Sequence, residues 1–430
     1  MFLDVLNRPR RSFCLSWGPP IAYIAYLPAA HILELVVELI VVGSGCCICY
    51  ADPRSLSSAG ASPQGALELY QPTHMVGVPK VWDTIVKGVQ AKLAKTTPVQ
   101  KAVVDIGLKW KLWCIQHHLD TPLFNTIVFD KMRQAVGNRL RWAISGGGPL
   151  SGDTQLFVRA AFGAVLVQAY GLTESCATVA IQADDDLRAG VQGAPFPSVE
   201  VKLVSCPEIT DKDGLPYLST DRKDSEGNPI FGRGEIFIKG ANVSKGYYMM
   251  PEKTKEDYQD GWFATGDIAQ WHDDGSLSIV DRKKNLVKTK GGEYVRLEAM
   301  EIVYGNSPYV DATNGGICCY ADGDLDRPVA LVQLNEKNAL EWAKANGVDA
   351  DVEELKRNKD FEKEVMNSLL EKHSGSELSR IEKLGGVALL TEPWSSENGC
   401  LTAANKLQRR TVYKSFPKEF EEAKKKGIFN

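Results

Sequence analysis

The sequence predicts an α/β protein built on a largely parallel sheet, followed by a smaller β-rich part. Three observations carry that prediction. From residue 21 to about 190, helix-like and strand-like text alternates. Two strand-like runs, RWAISGGGPL (141–150) and AVLVQAYG (164–171), each stop at glycine. From 190 to 281 the segments shorten and are separated by Gly, Asp and Asn, the text of a small β subdomain.

Taken in order, ILELVVELIVVGSGC (32–46) is too short to span a bilayer and carries Glu34 and Glu38 one helical turn apart. It predicts an amphipathic helix feeding a strand, with no transmembrane segment. CCICYA (46–51) and THMVGVP (73–79) predict strands, and KVWDTIVKGVQAKLAK (80–95) a helix. After a further helical region come the two strand–glycine units. VEVKLV, GEIFIKG, GWFATGDIAQW and GSLSIVD are the short strands of the β subdomain. Residues 207–230, polar and turn-rich, predict an exposed loop. Beyond DRKKN (281–285) the text mixes strands with charged helices and ends in a Lys-rich one.

Bulk properties narrow the function. A chain of 430 residues predicts two or three domains, and a net charge of −4 gives no overall basic field to recruit nucleic acid. Ten cysteines include CCIC at 46–49 and a CC pair at 318–319. Cys46 and Cys49 formally make C-x-x-C, but no second pair completes a zinc set. Both clusters sit in strand-like apolar text, so they predict buried thiols in a reducing compartment. The adjacent His117 and His118 diverge on a helix and predict a solvated or capping role. Residues 1–20, with three arginines and one acid in MFLDVLNRPRRSFCLSW, read as an atypical leader, loosely like a transit peptide.

The glycine turns are the candidate chemistry. In SGGGPLSGDTQLF (145–157), Gly146, Gly147, Gly148 and Pro149 sit between a strand and a helix, where backbone can touch a flat or anionic ligand. The spacing is neither a Walker loop nor a dinucleotide fingerprint. At YGLTE (170–174), Tyr170 can stack on a base beside Gly171, Thr173 can donate to a phosphate, and Glu174 can hold magnesium. An ordinary helix start, with Thr173 as cap, accounts for the same residues. Asp267 in GWFATGD can accept both hydroxyls of a ribose or be a turn aspartate.

The order ISGGGPL, QAYGLTE, GWFATGD, DRKKNLVKTKGGEYV resembles the adenylate-forming enzymes. Within them it is similar to the eukaryotic long-chain acyl-CoA synthetases, to which YLPAAHILE (26–34) and NGCLTAANKLQRR (398–410) add two further likenesses. The resemblance covers roughly residues 21–415. It implies an incomplete N-terminal AMP-binding domain over 21–283, α/β to about 190 and β beyond it, then a mobile α+β lid over 284–430. It also implies ATP, magnesium and CoA as co-substrates of a fatty acid, with acyl-AMP as intermediate. The implied place is the cytoplasm or, peripherally, the cytosolic face of the endoplasmic reticulum.

Residue by residue, the resemblance places Gly146 to Pro149 and Tyr170 around adenine, Thr173 at the AMP phosphate and Glu174 on magnesium. Asp267 and Arg282 hold the ribose, and His31 borders the acyl-adenylate unless it merely starts a helix. Lys284 matches the hinge and Gly292 the glycine along which the CoA thiol approaches. Lys406 matches the lid lysine that bridges acyl carboxylate and phosphate. A charge about 4 Å away at an effective dielectric near 20 contributes roughly 4 kcal/mol, about three powers of ten in rate.

Three departures from the family pattern stand out. Ala403, Ala404 and Gln408 replace proline, threonine and lysine in the end motif. Gly148 stands where alanine is usual. The Ser/Thr/Gly-rich pyrophosphate loop has no counterpart in residues 1–25. Losing three to five charge-assisted donors costs of order 5–10 kcal/mol in adenylation. Two expectations follow: a fatty acid–CoA ligase impaired in adenylation, or an inactive relative that binds AMP or acyl-AMP as a regulatory module. A partner covering an exposed sheet edge is expected in either case.

Overall fold

A computed structural model describes residues 21–427, apart from 59, 118, 212–213, 225–226, 292, 312–314, 377 and 403–405. The leader, His118, Gly292, Ala403 and Ala404 therefore lie outside the described residues. The chain divides into two compact units. The first runs to residue 202 and adds 237–264 and 274–278; the second takes 203–236, 265–273 and everything from 279.

The first unit holds β1 (Ala22–Ala25), β2 (Cys47–Tyr50), β3 (His74–Gly77), β4 (Trp142–Ser145), β5 (Val165–Tyr170), β6 (Ala180–Ile181) and β7 (Ala194–Pro195). They form one sheet in the order β2-β1-β3-β4-β5-β6-β7. The first five are parallel and the last two antiparallel. Ile24, Met75, Ala143 and Leu166 fall in one register row. That row packs against Trp82 and Val86 of helix Pro79–Ala94 and Val158 and Phe162 of helix Gly152–Phe162. Ile144 and Val167, on the other face, are buried as well, and burial on both faces is why these strands read as unbroken apolar runs. Local chemistry sets the helix ends: the Ser151 side chain accepts from the Thr154 N–H, and Gly163, at φ +65°, terminates the helix.

Helix Ile32–Gly43 forms where expected, but one of its two carboxylates, Glu34, faces inward. Glu34 is fully buried and accepts from the Tyr23 hydroxyl at 2.8 Å, and Glu38 accepts from Tyr50 at 2.9 Å. Leu35, Leu39 and Val42 are the exposed residues instead. The cysteine expectation divides as well. Cys318 and Cys319 are buried, whereas Cys47 is exposed and Cys46 and Cys49 are half-buried. The reason is topological: β2 is the sheet's edge, with β1 its one neighbour.

The strands β8 (Val199–Val204), β11 (Ile230–Gly240), β13 (Trp262–His272) and β14 (Leu277–Arg282) each run from one unit into the other. In the second unit, β9 (Cys206–Thr210) and β10 (Pro216–Tyr217) pair antiparallel, which corrects the exposed loop expected over 207–230. The segment is held by charge rather than by an apolar run. Arg233 bridges Asp211 and Asp221, both at 2.7 Å, and all three side chains are largely buried. Polar text of that kind reads as loop when its partner lies more than ten residues away.

Further along the second unit are the hairpin β15–β16 (Leu286–Lys288, Tyr294–Arg296) and the sheet β17-β18-β19 (Ile317–Tyr320, Val329–Gln333, Gly386–Leu390). β18 alternates strictly. Ala330 and Val332 face Phe361, Val365 and Leu369 of helix Lys359–Ser374, while Val329 and Leu331 face Phe420 and Ala423 of helix Pro417–Gly427.

Candidate functional site

In the first unit, three sequence motifs meet at the carboxyl edge of the sheet. Ser145 and Gln168 are register partners, so the Gly146–Pro149 loop and the Tyr170–Glu174 turn leave adjacent strands side by side. The Gly146 N–H donates to the Gly77 carbonyl at 3.1 Å. A Cβ on Gly146 would lie 3.4 Å from Leu33 Cδ2 and 3.8 Å from the Ala169 carbonyl oxygen. The first turn of helix Ile32–Gly43, which begins at His31, therefore borders the same loop. His31 caps that helix: its Nδ1 accepts from the Leu33 N–H at 3.3 Å, which is the helix-start arrangement. Gly147 has φ +80°, and a Cβ on Gly148 would meet Pro79 Cγ at 3.6 Å.

The YGLTE turn is braced from within. The Leu172 N–H donates to Ser175 Oγ at 2.9 Å, and that hydroxyl donates back to the Leu172 carbonyl. Thr173 is not the cap. It opens a short 3-10 turn over Thr173–Ser175, and its exposed hydroxyl has no partner among the described residues. Cys176 and Ala177 both adopt positive φ, at 51° and 72°, a left-handed conformation that costs about 1–2 kcal/mol per non-glycine residue. The Asn242 side-chain amide holds this stretch by donating to the Ser175 and Thr178 carbonyls at 3.0 and 2.8 Å.

Glu174 is fixed by residues far along the chain. Its Oε1 accepts from the Tyr247 hydroxyl at 2.7 Å, and its carbonyl accepts from the Ser244 N–H at 2.7 Å. Burial and the Glu174 carboxylate hold the Tyr247 phenol well above its ordinary pKa, so it stays a donor. Oε2 has no partner among the described residues. One carboxylate oxygen beside an exposed hydroxyl fits a hard cation that draws its other ligands from phosphate and water. Among the described residues no group of three His, Cys, Asp or Glu could hold a metal by itself.

The second unit gathers the remaining candidates. Arg282 Nε lies 3.2 Å from Asp267 Oδ1, with the aspartate buried and the guanidinium nearly half exposed. Beside Lys406, Leu401 bridges Leu407, and the Lys406 N–H donates to Thr402 Oγ1 at 3.0 Å. Its side chain reaches water, yet the crowding around it and the Arg282 charge hold its ammonium below the ordinary value, against Glu298 and Asp267. Lys406 thus stands in the electrostatic neighbourhood of the Asp267–Arg282 pair. Burial and Arg282 lower Lys284 in the same way, with Asp267 opposing.

Sequence reading missed the network beneath Lys284. Asp281 accepts from the Arg282 N–H at 2.6 Å and from Asn285 Nδ2 at 3.2 Å. Burial and Glu298 push its carboxyl up to about 7. Asn285 also donates to Glu298 at 2.9 Å and accepts from Arg409 at 3.1 Å, while Arg409 forks onto Glu301. The available signal was the density of charge in DRKKN. Tyr247 and Ser244 were missed too, since SKGYY carries no spacing that sets it apart from loop text.

A parallel sheet with a glycine loop and a hydroxyl–carboxylate turn at neighbouring strand ends defines an α/β nucleotide-handling class of the adenylate-forming fold. The comparisons agree. Residues 11–248 match the family described as AMP-binding enzyme, and the chain belongs to that family. It is 34% identical over 403 residues to "Fatty acyl-CoA synthetase B" of Dictyostelium discoideum, covering 93% of this chain and 56% of the relative. It is 36% identical over 418 residues to "Long chain acyl-CoA synthetase 8" of Arabidopsis thaliana, covering 92% and 55%. The chain therefore spans about half the length of these curated relatives. Among solved structures, the A domain of a carboxylic acid reductase from Segniliparus rugosus, in complex with AMP and a co-purified carboxylic acid, matches with TM-score 0.68. It is 24% identical and covers 96% of this chain and 56% of that one. The expectation of a mixed α/β fold on a parallel sheet is met. No helix among the described residues is long and apolar enough to cross a membrane.

Proposed function

We propose that the chain serves long-chain fatty acid–CoA ligation. A fatty carboxylate attacks the α-phosphorus of ATP and expels pyrophosphate; the CoA thiol then attacks the acyl carbon and expels AMP. The observation that supports this most is the side-by-side exit of the Gly146–Pro149 loop and the Tyr170–Glu174 turn from β4 and β5, in a chain whose curated relatives are named as acyl-CoA ligases.

In this reading the glycine loop and Tyr170 take adenine, the free Thr173 hydroxyl donates to the phosphate, and Glu174, aimed by Tyr247, supplies one oxygen to magnesium. Magnesium would neutralise phosphate charge there. Asp267, oriented by Arg282, accepts from the ribose hydroxyls. Lys406 offsets negative charge on carboxylate and phosphate during adenylation, and residues 284–430 move about Lys284 so that Gly292 can face the thiol. Peripheral placement on the endoplasmic reticulum and a partner along the edge strand β2 belong to the same reading.

The test is product analysis with the 430-residue chain, palmitate, ATP, magnesium and CoA. Palmitoyl-CoA and AMP formed in equal amounts support the ligase. AMP binding with no thioester, even from supplied palmitoyl-AMP and CoA, rejects it and leaves a binding module.

A further inference from the structure

Helix Pro98–Gln116 carries an exposed apolar stripe. Val99, Val103, Ile106, Trp110 and Trp113 are all 40% or more exposed. At 100° per residue they fall within an arc of about 80° and run for about 21 Å. The rings form one surface: Trp110 stacks on Trp113 with centroids 5.0 Å apart, and Trp113 on His117 at 4.1 Å. The buried residues Gly107, Lys111 and Cys114 lie on an adjoining side, about 90° round the helix from the stripe. This helix is thus anchored, and its stripe is turned to the outside.

Charge names the occupant. The helical stretch 79–117 holds seven lysines, no arginine and two acids, Asp83 and Asp105, in a chain whose net charge is −4. A protein interface favours Arg over Lys at its core, whereas tryptophan with flanking lysine is the composition of a helix lying in a bilayer interface. We propose that this stripe docks the protein on an anionic lipid surface, with Trp110 and Trp113 at headgroup level and Lys101 and Lys109 above them. The proposal deepens the ligase reading at one point, the delivery of a lipid substrate. Its test needs no turnover, so loss of docking and loss of ligase activity are separate results.

The experiment is sedimentation of the full chain with phosphatidylcholine vesicles, with and without about one-third phosphatidylserine, at low and raised salt. Binding is expected only with the anionic lipid and should weaken with salt. Joint substitution Trp110→Ser and Trp113→Ser is expected to lower binding at least tenfold, and Lys109→Gln alone about fivefold. Brominated lipid should quench tryptophan fluorescence in the parent chain and not in the double variant. The circular dichroism melt, unchanged, reports that the variants fold. Absence of binding, or binding indifferent to both sets of substitutions, overturns the proposal. So does a solution dimer that Ile106→Ser dissolves, which would make the stripe a protein interface.

Discussion

The Tyr247 hydroxyl donates to Glu174 Oε1 across seventy-three residues, at 2.7 Å, and this bond aims the carboxylate of the YGLTE turn. In the proposed reading, this carboxylate would be the residue that holds magnesium. Tyr247→Phe removes the donor while keeping the ring, which packs edge-on to Tyr258. The expected result is a three- to tenfold rise in the magnesium concentration needed for half-maximal activity, about 1 kcal/mol, with little change in melting temperature. Magnesium titration of initial rates checks it.

Two glycines should answer alanine very differently. A Cβ on Gly171 would lie 2.0 Å from the Ala177 carbonyl oxygen and 2.5 Å from its carbon, both backbone atoms that cannot step aside. Gly171→Ala should destabilise by at least about 2–3 kcal/mol. On Gly148 the nearest atom would be Pro79 Cγ at 3.6 Å, an ordinary contact. Gly148→Ala should stay within about 0.5 kcal/mol of the parent. Urea unfolding of both decides.

Burial raises the Glu34 carboxyl to about 7, only partly offset by the Tyr23 hydrogen bond, so between its ordinary value and about 7 the folded state binds more protons than the unfolded. Stability from this group is complete at low pH, falls as pH rises through that window, and is flat above it. Glu34→Gln should flatten the decline and raise stability at pH 8 by up to about 3 kcal/mol. Melting the two proteins across pH measures the difference. A variant no more stable than the parent at pH 8 would count against a neutral buried carboxyl.

Lys406→Ala separates the half-reactions. The lysine's proposed work is on the first, so pyrophosphate exchange should fall by up to about three powers of ten while thioester formation from supplied acyl-AMP holds within twofold. Equal loss in both steps would contradict the assignment.

Arg409 forks onto the buried Glu301 and reaches Asn285. Arg409→Ala would leave that carboxylate without its counter-charge, with the Cys319 N–H still donating to it at 3.0 Å, an expected cost of about 3 kcal/mol. Arg409→Lys keeps the charge but not the fork, and should recover only part of the loss in urea unfolding.

By itself the sequence determined the parallel sheet, the helices beside it and the two loops at the ends of β4 and β5. Each rests on local text: an apolar run long enough for a buried strand, then glycine where backbone must turn. It also supplied Asp267, Arg282 and Lys406 through ordered likeness. Tertiary structure alone decided which of those residues meet, because their partners lie far along the chain: Tyr247 on Glu174, Asn285 between Asp281 and Arg409, Arg233 between two aspartates. It likewise decided that Glu34 turns inward while Leu35 and Leu39 face out, and that Cys47 lies on an edge. Periodicity fixes which residues share a face; only packing against the rest of the chain fixes which face is buried.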